Sequence, residues 1–339
     1  MDHEDHGGAG DAPGAPGLAP TWTSSAKDLV TTANEGASRL WATLGFGIVN
    51  EVYWPSTGEP QVRDLGFIVG FDDGRWVEVK RAHAYTVGTP RPYVPLANIV
   101  HEGSGYRLVL EVVPDPLRDA LLVGWRLQGG GRLHVLLAPH LGSSGWDNTA
   151  WVAGELFASR RHHHLCLASD HGFVRGSAGY VGASDGWQDF ARNGRMAWTF
   201  PRAGRGNVAL TGELAGSRGV LALAFSNQVE GARLLALSAI AEGLPSIRGA
   251  FERGWRGWGE TLRIPDAPPE LARQAQLSAA VLKMHEDRTY PGAVVASLSV
   301  PWGNRSNDLG GYHLVWTRDA VEAGLGLLAA GKARDATRM

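Results

Sequence analysis

Leu133-His134-Val135-Leu136-Leu137 is apolar at four of its five positions. In an extended chain successive side chains point to opposite faces, so a strand of this composition carries apolar groups on both sides and belongs between two layers. The run extends over residues 133–141, and similar β-type runs occupy 75–87, 106–113, 120–127, 145–158, 196–200 and 220–225, separated by Gly, Pro, Asp and Asn. Short strands at such spacing with turn residues between them are the pattern of a large antiparallel sandwich, expected here from about residue 38 to residue 227. Pro114 and Pro116 mark one turn, and Asp72-Asp73 before Gly74 another. Gly129-Gly130-Gly131 reads as a turn between strands, because neither a helical pattern nor a Lys-Ser/Thr pair follows it as a phosphate loop requires.

Beyond Asn227 the apolar period changes. Val229, Ala232, Leu235, Ala236, Ala239 and Ile240 recur at helical spacing and Gly243 closes the segment. A second helix is expected over 244–262, with Phe251, Trp255 and Trp258 on one side. Pro265-Asp266-Ala267-Pro268-Pro269 reads as a rigid connection, after which Leu271, Ala275, Ala279 and Leu282 form the stripe of a third helix. The stretch from His285 to Trp316 has no helical period, and a loop of that length in a compact domain usually carries function. A fourth helix is expected to begin near Arg318, bury Val321, Leu325 and Leu328, and stop at Gly331. The expected domains are therefore a flexible leader at 1–20, a β-rich domain with its terminal helices at 21–264, a linker at 265–269 and a helical part at 270–339.

Composition narrows the function. The 32 basic and 34 acidic side chains leave a formal charge of -2, so no global field draws the chain to nucleic acid or to an anionic membrane, and no apolar run approaches the length of a membrane span. Neither partner is expected. A single cysteine, Cys166, excludes an internal disulfide framework and a thiolate-rich metal site. The first twenty residues lack the basic and apolar regions of a secretory signal, which favours a cytoplasmic location while leaving export open. Thirteen tryptophans supply broad apolar faces of the kind on which sugar rings stack, and serve equally as core filler.

Gly310-Gly311-Tyr312-His313-Leu314-Val315-Trp316-Thr317-Arg318-Asp319 brings two aromatics, an arginine and a carboxylate to a loop that feeds a helix. Those are the parts of a sugar clamp: the Arg fork and the Asp carboxylate grip neighbouring hydroxyls while Tyr and Trp cover the apolar ring faces. The same residues have structural uses, with Asp319 as a helix cap, Arg318 paired to a core carboxylate and Trp316 as packing. His162-His163-His164 is read as a solvated run, since only His162 and His164 would share a strand face. Asp185 and Asp189 are read as loop structure around Trp187. No metal site or cofactor is assigned; weak calcium binding by these acidic pairs has no further support in the sequence.

Leu282-Lys283-Met284-His285-Glu286-Asp287-Arg288-Thr289-Tyr290-Pro291-Gly292-Ala293, then Ala296-Ser297-Leu298-Ser299-Val300-Pro301-Trp302-Gly303 and the segment from Gly310 to Asp319, closely resemble bacterial glucoamylases and glucodextranases of glycoside hydrolase family 15. Trp22-Thr23-Ser24-Ser25-Ala26-Lys27, Asn50-Glu51-Val52-Tyr53-Trp54-Pro55, Arg63-Asp64-Leu65-Gly66, Leu137-Ala138-Pro139-His140-Leu141 and Ser184-Asp185-Gly186-Trp187-Gln188-Asp189 resemble the N-terminal domain of the same enzymes. The resemblance implies a multidomain β plus α protein: an antiparallel β-supersandwich similar to galactose mutarotase, followed by the start of an (α/α)6 six-hairpin barrel. It implies that Arg318 and Asp319 bind the outer hydroxyls of the non-reducing terminal glucose, that Tyr312 lies near the anomeric centre and that Trp316 walls the pocket.

Inverting hydrolysis needs a general acid and a general base roughly 6.5–9.5 Å apart. In the resembled family both are glutamates placed later in the barrel, so the resemblance implies an acid and a base downstream of Met339. Glu286, Asp287, Asp308 and Glu322 match neither, and no catalytic residue is assigned within these 339 residues. Twelve barrel helices of ~12 residues need well over ~200 residues, which 270–339 does not supply. The expectation is an incomplete barrel, with the Val321, Leu325 and Leu328 stripe partly wet and the chain inactive alone. Its partners would be an α-glucan or oligosaccharide and the missing remainder of the barrel. The alternative is a non-catalytic α-glucan-binding or assembly module that pairs with a separately encoded barrel.

Overall fold

Leu133, Val135 and Leu137 point inward to a core shared by two sheets, while His134 and Leu136 meet a second layer on the opposite face. The run read first from the sequence is thus covered on both sides. The structure, a computed structural model, describes residues 10–339 and, of Asn304, the backbone alone. The strands are β1 Leu29–Thr32, β2 Trp41–Gly45, β3 Ile48–Tyr53, β4 Pro60–Gly70, β5 Trp76–Glu78, β6 Tyr85–Gly88, β7 Ala97–Gly103, β8 Tyr106–Pro114 and β9 Ala120–Gly129. They continue as β10 Arg132–Pro139, β11 Asn148–Ala153, β12 Glu155–Arg160, β13 His163–Ser169, β14 Phe173–Tyr180, β15 Arg202–Gly206, β16 Val208–Leu214 and β17 Arg218–Ser226. The helices are α1 Val79–Ala82, α2 Gly186–Asn193, α3 Val229–Glu242, α4 Leu244–Gly259, α5 Pro269–Met284, α6 Thr317–Ala329 and α7 Ala333–Ala336.

One sheet runs β1-β2-β3-β4-β10-β16-β14 with β5 beside β4; the other runs β15-β11-β12-β13-β17-β9-β8-β7-β6. Neighbours pair antiparallel. The helical part follows them, as the change of period predicts. Three runs differ in detail. Residues 75–87 are broken by α1, where Glu78 and Arg81 pair at 2.6 Å across one helical turn. Residues 145–158 are two strands hinged at Gly154, whose φ of 83° suits glycine. Residues 196–200 form no strand, because Asp189 takes the amides of Ala197 and Trp198 at 2.8 Å each and Ser177 takes that of Phe200.

Asp185 and Asp189 are not loop residues but the cap and first turn of α2, with the Gln188 amide donating to Asp185. Nor is the histidine run wholly solvated: His163 is buried against Glu59, while His162 is exposed. Of the segment read as a flexible leader, residues 1–9 lie outside the described residues. Residues 10–20 instead follow the sheet edge: the Ala12 amide donates to Arg202 O, that of Asn207 to Pro16 O and that of Leu18 to Val181 O. An irregular sequence suffices there, because edge strands offer free backbone donors and acceptors to whatever lies beside them.

Helices α3 and α4 lie on the outer face of the nine-stranded sheet, where Cys166, Ala168, Ala222 and Ala224 meet Ala232, Ala236 and Ala239 of α3. Small side chains on both surfaces let the helix approach closely. Burial pushes the Cys166 thiol up to about 12, so it is packing rather than a nucleophile or ligand. Trp255 of α4 is fully buried and its indole N–H donates to Thr32 O at 2.8 Å. Ala279, Ala280 and Met284 of α5 and Leu327 of α6 join the same cluster, with Ala330 just after α6. On α6 Ala323 and Leu327 face inward, and the residues expected to be buried, Val321, Leu325 and Leu328, are exposed, as is Leu271 of α5.

Candidate functional site

From His285 to Trp316 the chain makes one short helical turn at Gly303–Arg305 and is otherwise held by contacts to the eight-stranded sheet. Asp287 is buried and accepts from the Thr57 amide at 2.7 Å, the Thr57 hydroxyl at 2.8 Å and the amides of Thr289 and Tyr290 at 2.7 and 2.9 Å. Arg288 donates to Gly36 O at 2.6 Å and to Ala33 O, and the Thr289 hydroxyl donates to Pro55 O. Val295 and Leu298 pack on Trp41 and Tyr53. Further along, the Gly145 amide donates to Asn307 Oδ1 at 3.1 Å and the Trp22 indole to Asn307 O at 3.2 Å.

On this anchored segment rests the arm that leads into α6. The amides of Ser297 and Ala296 donate to Tyr312 O and Leu314 O at 2.8 and 3.1 Å, and the Trp316 indole N–H donates to Gly311 O at 2.9 Å. Trp316 is the residue before the first turn of α6, so Arg318 and Asp319 fall within that turn. Tyr312 and Trp316 are 50% and 53% exposed, and the Arg318 side chain is 82% exposed. Asp319 is less open and lines a cleft of about 500 Å³ with His285, Ser297, Lys27 and Glu322; Tyr312, Trp316 and Arg318 do not line it.

The structural uses open to these residues are not the ones they serve. Asp319 makes no capping hydrogen bond to the start of α6, and among the described residues Arg318 meets no carboxylate but Asp319, at 4.0 Å. Trp316 is not in the core. Two aromatic faces, one guanidinium and one carboxylate therefore stand close together in sequence at a junction whose backbone is tied down and whose side chains, the Trp316 indole N–H apart, are not. A carboxylate in the first turn also sits favourably in the positive end of the helix dipole.

Most nearby acids are otherwise employed. Glu286 is ion-paired with Lys283 at 2.6 Å and with Arg338 at 2.8 Å, and Asp308 accepts from the Gly310 amide. Between Asp319 and Met339 the further acids are Glu322, at the cleft, and Asp335, which is held by Lys283, Arg338 and the Trp258 indole. Met339 itself follows α7, its amide donating to Ala336 O at 3.3 Å. His285 and His313 are pushed below the ordinary histidine value by burial. The Asp287 tether is a role the sequence reading passed over. Its local half, an Asp accepting from the amides two and three residues on, is a readable turn signal; its partner Thr57, 230 positions away, is not.

Two protein families match successive parts of the chain: glucodextranase domain N over residues 12–260 and glycosyl hydrolases family 15 over residues 272–339. A glucoamylase of Clostridium sp. (strain G0005) is 30% identical over 345 residues, covering 95% of this chain and 48% of the relative. The crystal structure of a bacterial glucoamylase complexed with acarbose superposes with a TM-score of 0.92 at 28% identity, over 97% of this chain and 51% of that one. The chain belongs to glycoside hydrolase family 15, of the glucoamylase and glucodextranase type. It spans about half the length of these two relatives.

Proposed function

We propose that the arm and first turn of α6 bind the non-reducing terminal glucosyl unit of an α-glucan, in an exo-acting hydrolase that releases glucose with inversion. Arg318 and Asp319 grip adjacent hydroxyls, and Trp316 and Tyr312 cover the apolar faces of the ring. The observation that carries this reading is that Tyr312 and Arg318 are exposed, Asp319 caps nothing, and Trp316 spends only its indole N–H, on Gly311 O, while the backbone beneath them is anchored. The acarbose bound by the bacterial glucoamylase is a natural probe for the same pocket here.

Helices α5 and α6 are, on this reading, the opening pair of an (α/α)6 barrel, and the exposed Leu271, Val321, Leu325 and Leu328 face its other helices. No general acid or base is assigned among residues 10–339, since Glu286, Asp287 and Asp335 are consumed by ion pairs and hydrogen bonds. Glu322 alone cannot supply both roles. The 339 residues alone are expected to bind saccharide without releasing glucose from maltose or isomaltose, and no cofactor is called for. A glucan-holding module that assembles with a separate barrel shares the exposed face, and differs in that the same sequence joined to barrel helices would remain inert.

Calorimetric titration with acarbose tests the site. Trp316→Ala together with Arg318→Ala is expected to weaken binding about 100-fold, the sum of one lost aromatic plate and one charge-assisted hydrogen bond. Stability should change by no more than about 0.5 kcal/mol, because both side chains are exposed. An unaltered affinity would remove the basis for the assignment.

A further inference from the structure

A second cavity, of about 270 Å³, opens on the outer face of the eight-stranded sheet beside α1 and α2. That is just under the usual range of small-molecule sites, about 300–1,000 Å³, a size for one small ring rather than a chain. None of residues 310–319 lines it.

Its floor includes Gly66, in the middle of β4 opposite Leu136 of β10. A glycine there has no backbone reason, since its φ is not in the left-handed region, and a Cβ would meet only Ile48 Cδ1, at 3.6 Å. Gly70 and Gly186 are different, because a Cβ would strike Phe190 at 2.9 Å and Thr211 at 2.2 Å. Glycine weakens a strand, and where neither dihedral nor crowding demands it the space above it is what it preserves.

The walls are aromatic and polar. Trp187 is held by its indole N–H to Glu78 at 2.9 Å, with the Arg81 guanidinium 4.8 Å over its ring and Trp76 edge-on at 5.7 Å. Asp64 is buried and binds Lys80 at 2.8 Å and Arg63 at 3.4 Å, both through Oδ2, which leaves Oδ1 to accept from a ligand. Arg63 Nε is buried with no partner among the described residues. The side-chain amide of Gln188 is likewise uncommitted at the cavity wall. The lining holds three cations, Arg63, Lys80 and Arg81, and three carboxylates, Asp64, Glu78 and Asp185, a balance that selects neither an anion nor a cation. A neutral ligand bearing hydroxyls satisfies both kinds of group, and a hydrocarbon satisfies neither.

We propose that this cavity is a second saccharide site, taking one neutral pyranose ring with Trp187 as its wall and Asp64, Arg63 and Gln188 as its hydroxyl partners. It lies in the part of the chain matched by glucodextranase domain N and is independent of the α6 assignment.

The test uses the Trp316→Ala/Arg318→Ala chain, so that the first site is already disabled, and titrates it with glucose, maltose and maltotriose by ligand-observed NMR and calorimetry. Binding is expected to persist. Gly66→Val, which fills the floor, should weaken it at least ~10-fold, and Gln188→Ala, a change at a half-buried helix position with no side-chain hydrogen bond to lose, about 3-fold or more. Binding of glucose itself marks a free-sugar site and binding of maltotriose without glucose a chain-end site; both support the proposal when the two variants reduce it. Absence of saccharide binding in the disabled background, or binding indifferent to Gln188→Ala, overturns it.

Discussion

Asp287→Ala is expected to lower the unfolding free energy by about 4 kcal/mol, because it removes a buried acceptor shared by four donors. The donors are the Thr57 amide and hydroxyl and the amides of Thr289 and Tyr290. With the carboxylate gone, amides remain in a site where solvent reaches them poorly, and a buried unsatisfied donor costs about 1–3 kcal/mol. The local effect should exceed the global one. Asp287 joins the end of α5 to the turn after β3, so its loss frees the segment that carries the arm of α6, and cleavage between 285 and 316 by a dilute protease should rise. Thr57→Val removes the hydroxyl partner alone, and a double-mutant cycle with Asp287→Ala should show coupling of about 1 kcal/mol or more. Urea unfolding that differs from wild type by less than about 1 kcal/mol would show that the tether is dispensable.

Acidification from pH 7 to pH 5 is expected to remove about 4 kcal/mol through two buried histidines, His134 and His140. Burial lowers His134 to about 4, opposed by its hydrogen bonds to the Arg132 and Ile68 backbones and aided by the charges of Arg175 and Arg132, and lowers His140 to about 3, with Arg63 adding and Asp64 opposing. Both are well buried, and neither ring nitrogen of His140 has a hydrogen-bond partner among the described residues. The unfolded chain takes up protons at about pH 6.5 while the folded chain resists until lower pH, so below pH 6.5 the unfolded state binds more protons and stability falls as pH falls. At pH 5 each residue is about 1.5 units below its unfolded value, or about 2 kcal/mol. His101 and His285 are shifted in the same direction and steepen the same limb. Urea midpoints at pH 7, 6 and 5 read the effect; His134→Gln should flatten the slope by close to one proton, and a flat profile between pH 7 and 5 would refute it.

Much of this architecture is legible from pattern. Strands that must be buried on both faces, such as Leu133 to Leu137, declare themselves through composition, and the change from turn-punctuated runs to helical spacing after Asn227 marks the passage from sheets to helices. Where side chains rather than ladder partners satisfy the backbone, pattern fails. Residues 196–200 have strand-forming composition, yet Asp189 and Ser177 capture their amides. The α6 stripe fails for another reason: periodicity shows that Val321, Leu325 and Leu328 share a face, not that the face is covered, and the side of α6 that is buried is the one carrying Ala323 and Leu327.

The candidate site divides along the same line. Local order determined by itself that two aromatics, a guanidinium and a carboxylate stand at the start of a helix, because their spacing and the helix signal lie within one short stretch, Gly310 to Asp319. Only the tertiary structure decided that they stay out of the core, that Asp287 and Arg288 fasten the segment behind them to the sheet, and that Gly66, Asp64 and Trp187 share one cavity. Those facts rest on contacts between residues far apart in the chain, whose distances are set by sheet register and helix packing and leave no local trace in the sequence.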